Sequence, residues 1–221
     1  MFRHDLLPSI NVVCDDTENG RYYVIDNITR LPSVTTVLGR MLPHDYLDEW
    51  RDRVGEVEAN RISKQASRRG SLIHRVAEKY ILNDKNYAKN LMPVNVVSVK
   101  KLTKILDEHV SVVRGIELPL FSKLLGTAGR GDLLCEWDGV LSFVDFKTSK
   151  RSRTRDDVIG YFLQVTAYAA MARIMYGIKI LQTVIVILVD HDDEPTVFVS
   201  KFDDYLEQTI KLFLDHKHDK Y

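Results

Sequence analysis

One segment, residues 131–147, constrains the fold most, because it contains the dipeptide Asp138-Gly139 between two β-rich runs. Such a pair between two strands is typical of a two-residue type I′ hairpin, since both turn residues tolerate positive φ. The turn also fixes the register, and successive steps away from it place Asp132 opposite Asp145. The segment therefore predicts a hairpin that brings two carboxylates together.

The opposed carboxylates need a compensating cation, because like charges at facing strand positions destabilise the pair by roughly 0.2–1 kcal/mol. A divalent metal ion would supply that cation. Lys147 lies two residues after Asp145 and therefore on the same strand face. A second Asp-x-Lys motif, Asp215-His216-Lys217, lies in a polar segment without a partner strand and is typical of a solvated helix face. The hairpin copy is the one that predicts a reactive site.

Hydrophobic periodicity extends the prediction over the C-terminal half. The expected elements, in chain order, are strands over 116–122, 127–137 and 140–147, a helix over 156–176, a strand over 180–189, an edge strand over 196–200 and a helix over 202–213. The β-branched run 180–189 is typical of a strand buried on both faces. The order predicts an α+β fold, with a three-strand meander joined by one right-handed helical crossover to a further buried strand.

The N-terminal part predicts a small hairpin over 10–25, followed by a short helix that Ser33 is placed to cap. Apolar spacing then predicts a helix that ends near Gly70 and two more over 72–80 and 102–113. We expect one domain of 221 residues. Its expected parts are an N-terminal hairpin and helical elaboration (1–97), a core (98–201) and a C-terminal helix (202–221).

Composition excludes several classes. The chain has 31 Lys and Arg against 31 Asp and Glu, so attraction to a polyanion must come from local patches. Its two cysteines, Cys14 and Cys135, are too few for a four-cysteine zinc or iron-sulfur site, and a reducing compartment is the default. No apolar run reaches 18 residues, and the first twenty residues match neither a secretory nor a transit signal. We expect a cytoplasmic protein that does not span a membrane.

Several short motifs occur together between residues 31 and 190. They are Gly-Arg-Gly-Asp132, Asp145-Phe-Lys147-Thr-Ser, Gln164-Val-Thr-Ala-Tyr168, Gly70-Ser-Leu-Ile-His74-Arg-Val-Ala-Glu78, and Glu117 before the first strand. In this combination the chain resembles the PD-(D/E)XK nuclease superfamily, and specifically its RecB-like branch of phage exonucleases and the mitochondrial genome maintenance exonuclease. The resemblance implies a restriction-endonuclease-like core. The proline of the nominal Pro-Asp pair is missing, and without the four cysteines no iron-sulfur cluster is implied.

The resemblance also implies roles for individual residues. The implied ligands of Mg²⁺ or Mn²⁺ are Asp132, Asp145, the Phe146 carbonyl and His74. Lys147 would orient or deprotonate the attacking water, and Glu117 would help to hold or position the metal site. The implied supporting residues are Gln164, which holds Lys147 and the scissile phosphate; Tyr168, which contacts the nucleic-acid backbone or supports the site; and Glu78, which orients His74.

Local clusters of cations predict contacts with a polyanion. The run from Lys147 to Arg155 contains five basic residues and no acid, and four more basic residues precede His74. The candidates for nucleic-acid binding are Lys150, Arg151, Arg153 and Arg155 in the first group and Arg61, Lys64, Arg68 and Arg69 in the second. Ser33, Thr35 and Thr36 resemble a Ser-Val-Thr element of the exonucleases. The alternatives are solvated charged faces and, for Ser33, a helix cap.

Together these features predict a metal-dependent DNA exonuclease that acts on single strands or flaps with a free end and leaves 5′-phosphate ends. Helices of the N-terminal elaboration would arch over the metal site and exclude duplex. A structure-selective endonuclease on the same core is the first alternative. The second is a nucleic-acid-binding protein without catalysis, which would have no reason to keep opposed carboxylates.

Overall fold

The computed structural model describes residues 1–26, 28–43, 45–190 and 192–218, and leaves out the side chains of 45–47. The protein has an α+β fold, with a mixed six-stranded sheet between helices and a smaller three-stranded sheet. The elements are β1 (Arg3–His4), β2 (Val13–Thr17), β3 (Gly20–Val24), β4 (Arg30–Pro32), α1 (Val34–Met41), α2 (Asp45–Val54), α3 (Glu56–Ile81), α4 (Pro93–His109), β5 (Val110–Ser122), β6 (Thr127–Trp137), β7 (Val140–Ser149), α5 (Ile159–Tyr176), β8 (Gln182–Val189), β9 (Thr196–Lys201) and α6 (Leu206–His218).

The large sheet has the strand order β1-β5-β6-β7-β8-β9. Strands β5, β6 and β7 form the antiparallel meander, α5 crosses over to the parallel strand β8, and β9 pairs antiparallel with β8. The predicted order of core elements is therefore confirmed. The last three residues of the predicted C-terminal segment lie outside the described residues.

Two boundaries differ from the prediction. Strand β5 begins at Val110, so Val110 and Val113 belong to the sheet and not to the preceding helix, because three-residue spacing of β-branched residues suits either structure. Gly70 does not end a helix, and α3 runs through it from Glu56 to Ile81. A glycine within a helix costs only about 1 kcal/mol relative to alanine. The chain turns instead at Gly55, where φ is +81°.

The sheet separates two hydrophobic cores. Helices α1, α5 and α6 contribute to one core, named here the α5-side core, together with Phe143 and Ile185. Helices α3 and α4 contribute to the other, the α3-side core, together with Val144 and Val184. Strand β8 is buried from Thr183 to Val189, because helices cover both of its faces.

The crossover helix is also the most apolar helix of the molecule. Within the described residues, one helical stretch, 156–176, is long and apolar enough to cross a membrane by length and composition, and 61% of its apolar window is buried in the fold. This burial is what a core helix requires. The helix therefore has a role inside the protein that accounts for its composition.

Candidate active site

Three neighbouring strands place carboxylates at the same level of the sheet. Glu117 on β5 lies opposite Asp132 on β6, because the pairs on either side of it are Ile116–Leu133 and Leu118–Gly131. The predicted hairpin register on the other side of β6 is confirmed as far as the pair Leu133–Val144. Asp132 and Asp145 are one step beyond this last pair. The Asp132 carboxylate there accepts a hydrogen bond from the Phe146 N–H at 2.8 Å.

The pleat changes face at this level. Ile116 packs against the α3-side core, whereas Leu118, two residues later, belongs to the α5-side core. Between them Glu117 has φ +46°, a left-handed conformation that costs a residue with a side chain on the order of 1–3 kcal/mol. Strain of this kind concentrates at functional sites. The change of face lets side chains from both helical layers reach the carboxylates.

A cluster of three candidate ligands faces α3. One ligand atom from each of His74, Glu117 and Asp132 lies within 4.8 Å of the other two. His74 Nδ1 is 3.2 Å from Asp132 Oδ1. Two carboxylates and one imidazole suit Mn²⁺, and the carboxylates also suit Mg²⁺. The donor set therefore fits the metal that the sequence predicts. It contains Glu117, which is expected to help hold the site, and Asp145 lies outside this group of three.

The charges in this cluster shift one another's pKa values. Burial lowers the pKa of His74, but the hydrogen bond and charge of Asp132 raise it more, to about 9. Burial is the main cause that raises the pKa of Glu117 to about 7, and the Asp132 charge adds to it. Burial also opposes ionisation of Asp132, but its bond to His74 holds the pKa of Asp132 below the usual range. Protons on His74 and Glu117 thus neutralise the metal-free cluster near pH 7.

A second group of polar side chains faces α5. Asp145 Oδ2 forms an ion pair with Lys147 Nζ, and Gln164 Nε2 donates to Asp145 Oδ1 at 3.3 Å. Burial raises the pKa of Asp145, while Lys147 partly offsets this. Burial lowers the pKa of Lys147, but the Asp145 charge outweighs it and raises that pKa, so Lys147 stays cationic. Gln164 thus holds the carboxylate that pairs with Lys147, and its contact with a phosphate stays a prediction.

Tyr168 supports the site from within the core. It is 5% exposed, which excludes the predicted contact with nucleic acid and leaves the supporting role. A Cβ at Gly129 would lie 2.7 Å from the Tyr168 ring, and one at Gly131 would lie 2.4 Å from the Phe143 ring. The glycines before Asp132 therefore make room for aromatic rings beneath the site. The Gly-x-Gly spacing carried this signal, but the sequence prediction used it only as part of a motif.

The structure gives Glu78 and Phe146 contacts that the sequence did not predict. Among the described residues no hydrogen bond joins Glu78 to His74; Asp132 orients the imidazole instead. The Glu78 charge acts on Glu117, whose pKa it helps to raise. The Phe146 N–H holds Asp132, and its side chain is buried in the α3-side core.

Two of the eight cations expected to bind nucleic acid also contact distant parts of the fold. Arg69 forms an ion pair with Asp190 and donates to the Leu188 carbonyl at 3.3 Å. Arg155 donates to the Val199 carbonyl and to Ser200 Oγ, at 2.9 and 2.7 Å. These arginines therefore have structural partners, and their contacts with nucleic acid stay a prediction.

The other cations have a range of environments. Arg153 Nε donates to Ser149 Oγ at 3.2 Å, which fixes the start of the loop. The exposed members of the predicted set are Lys150, Arg151, Arg155, Arg61, Lys64 and Arg68.

The Ser-Val-Thr element is a helix cap. Ser33 is 3% exposed, and its Oγ accepts the Thr36 N–H at 3.0 Å at the start of α1. Thr35 is exposed, with its Oγ1 2.9 Å from Ser33 Oγ. Ser33 thus has the structural role that the sequence left open, and Thr35 is the one of this pair that faces solvent.

Comparisons with known proteins add a weak structural likeness. No protein-family profile matches the chain, and no curated protein matches it. One similar solved structure is described as "Crystal structure of SSO0001"; it is 13% identical, with a TM-score of 0.34, over 67% of this chain and 72% of the other. A likeness at this level carries no argument about function.

Proposed function

We propose that the protein is a metal-dependent deoxyribonuclease of the PD-(D/E)XK superfamily, RecB-like branch, built on a restriction-endonuclease-like core. One observation carries the proposal: Glu117, Asp132 and Asp145 occupy the same level of three adjacent strands, with His74 on one side and Lys147 on the other. Grouping buried acids in this way is unfavourable for folding alone. A bound cation would compensate these negative charges, and an anionic substrate would explain why the acids are grouped.

The residues present fit a Mg²⁺ or Mn²⁺ ion. His74, Glu117 and Asp132 would hold it, and Asp145 and the Phe146 carbonyl complete the predicted ligand set. The ion would supply Lewis acidity and lower the pKa of a bound water molecule.

The chain's own residues position the reaction. Lys147 stays cationic beside Asp145 and over the Tyr161 ring, and it would stabilise the negative charge that a phosphate gains in the transition state. Gln164 holds the Asp145 carboxylate that in turn holds Lys147. Asp132 orients the His74 imidazole. The expected reaction is hydrolysis of a phosphodiester with a 3′-oxygen leaving group, which leaves 5′-phosphate ends.

The substrate we propose is single-stranded DNA, or a flap, with a free end. From Glu56 to Leu72, α3 contains one buried residue, Ala59, and Val57 is 87% exposed. This half of α3 therefore packs little against the hydrophobic core. It is available, with α2, to arch over the strand that enters the site. Lys150 and Arg151, just beyond β7, add exposed positive charge.

One assay distinguishes the exonuclease from the endonuclease and from the non-catalytic nucleic-acid-binding protein. Linear and circular single strands and blunt duplex are incubated with the protein in Mg²⁺, in Mn²⁺ and in EDTA. We expect linear single strands to be degraded with either metal and spared in EDTA, with duplex and circles resistant. Rapid cutting of circles would assign the endonuclease function, and binding without any cutting would assign the non-catalytic one.

A further inference from the structure

A groove of about 930 Å³ runs between α3 and the first turns of α4. Its α3 wall is basic, and its α4 wall has exposed apolar side chains beside Asn95 and Ser98. Besides Arg69, the basic residues are Arg61, Lys64, Arg68 and Arg75. The apolar residues, which are 62%, 75% and 58% exposed, are Met92, Val94 and Val97. Soluble domains rarely leave large apolar side chains grouped in this way unless a ligand covers them.

The positive charge of the groove is largely unopposed. One acid, Asp190, is among its described lining residues, and it pairs with Arg69. Arg61 pairs with Glu58 in an exposed contact, a kind that contributes little and exchanges easily. Within the described ranges Lys64 and Arg75 form no ion pair. In a chain of zero net charge, this wall is thus a local positive surface.

The shape and chemistry of the groove favour a polynucleotide strand. The four cations span 14 residues of helix, or roughly 21 Å, which is long enough for several consecutive phosphates. The opposite wall offers apolar contact to bases and sugars. An acidic peptide with apolar anchors would also match both walls, so the choice between them depends on where the groove leads.

The groove is continuous with the end of the active strand. A smaller cavity of about 80 Å³ is lined by Thr148, Ser149 and Lys150, at the end of β7. It shares Gln65, Arg69 and Asp190 with the groove. Leu72 lines the groove, and His74 is two residues further along the helix, which places it roughly 160° away around the axis of α3. His74 therefore lies on another side of α3. A strand at the site could therefore pass beside Lys150 and continue in the groove.

We propose that the groove between α3 and α4 is a second subsite for single-stranded nucleic acid, which holds the substrate strand away from the scissile bond. This rests on the proposed nuclease function and extends it. Backbone phosphates contact the cations of α3, and the bases lie against the apolar wall of α4. The subsite makes affinity depend on the length of the strand.

The test measures fluorescence anisotropy of oligo(dT) strands of about eight and about sixteen nucleotides in EDTA, where no hydrolysis is expected. The groove variant is Lys64→Ala with Arg75→Ala. The matched control removes the same charge on the other face of the sheet, by Lys179→Ala with Lys211→Ala. We expect the groove variant to lose at least about tenfold in affinity for the long strand and to lower its salt slope by about 1.4. The short strand and the control variant should change little.

Two results would overturn the proposal. The first is an equal effect of the groove and control variants on the long strand. The second is tighter binding of a glutamate- and leucine-rich peptide than of the long strand, which would assign the groove to an acidic protein partner. Failure of the nuclease function is distinguishable, because it would appear as absent cleavage in Mg²⁺ and Mn²⁺ while length-dependent binding in EDTA persists.

Discussion

The two halves of the candidate site balance their charges in different ways. On the α3 side, His74 and Glu117 have pKa values raised to about 9 and about 7, so exchangeable protons neutralise this half. On the α5 side, Asp145 is paired with Lys147, a cation that belongs to the chain. A metal ion can displace the protons of the first half without breaking an ion pair within the chain. On the function proposed above, the first half would hold the metal together with Asp145, and Lys147 would act on the substrate.

The largest effect is expected for Asp132→Asn, which affects both halves. Asp132 is a candidate ligand, the partner of His74 and the acceptor of the Phe146 N–H. Activity should fall by about 10³-fold or more, with loss of metal affinity. The control is Asp215→Asn, at the exposed first residue of the second Asp-x-Lys motif. Steady-state kinetics and metal titration of the two variants check this prediction. Normal activity of Asp132→Asn would show that Asp132 is not part of the active site.

Lys147→Ala should separate the two halves. We expect metal affinity to be retained and the turnover number to fall by about 10²- to 10³-fold, because a fixed positive charge near the phosphate is removed. Lys147→Gln is a second variant in case the unpaired Asp145 destabilises the fold. A loss of metal affinity in the Lys147 variants equal to that in Asp132→Asn would mean that the two halves of the site do not have separate functions.

Glu117→Gln should show how the charge of Glu117 affects the stability of the protein without metal. A folded-state pKa of about 7, above the usual 4.5, means that stability is present at pH 4.5 and is lost as pH rises through 7. In EDTA, urea unfolding at pH 8 should therefore show the variant about 1–2 kcal/mol more stable than the parent, with little difference at pH 5. Added Mn²⁺ should stabilise the parent more than the variant. A variant that is less stable at pH 8 would contradict the assigned charge.

The smallest expected effect, that of Gly70→Ala, belongs to a comparison of two glycines. Gly131→Ala places a Cβ 2.4 Å from the Phe143 ring, and we expect it to cost about 1–3 kcal/mol of stability and to lower activity by moving Asp132. Gly70→Ala meets nothing within 4 Å and should stabilise α3 by about 0.5–1 kcal/mol. Thermal unfolding of the two variants checks the pair. Similar shifts in the same direction would count against the packing described beneath the site.

The hairpin could be predicted because its signals are local. The Asp-Gly turn and alternating side chains determine the register, and the observed pairs follow it to Leu133–Val144. The break at Gly70 and the helical assignment of Val113 were wrong, because local patterns do not show which tertiary contacts sustain a helix or a strand. Composition gives no sign of a left-handed glutamate, so the change of face at Glu117 could not be anticipated.

The site could be predicted only as a set of residues. The sequence identified all three members of the α3-side cluster, but it could not show that His74 pairs with Asp132 or that Gln164 pairs with Asp145. Pairing across distant segments was also invisible, as in the bonds that Arg69 and Arg155 make to residues of β8, β9 and the loop between them. Such partners depend on the packing of the whole sheet.

The most direct test of metal binding by His74 and Asp132 is calorimetric titration of the protein with Mn²⁺ at pH 8, in two buffers of different ionisation enthalpy. We expect one ion per chain, with proton release that reflects the protonated His74. Binding should be lost in Asp132→Asn and His74→Ala but not in Lys147→Gln. Absence of binding, or binding that His74→Ala and Asp132→Asn leave unchanged, would contradict this expectation.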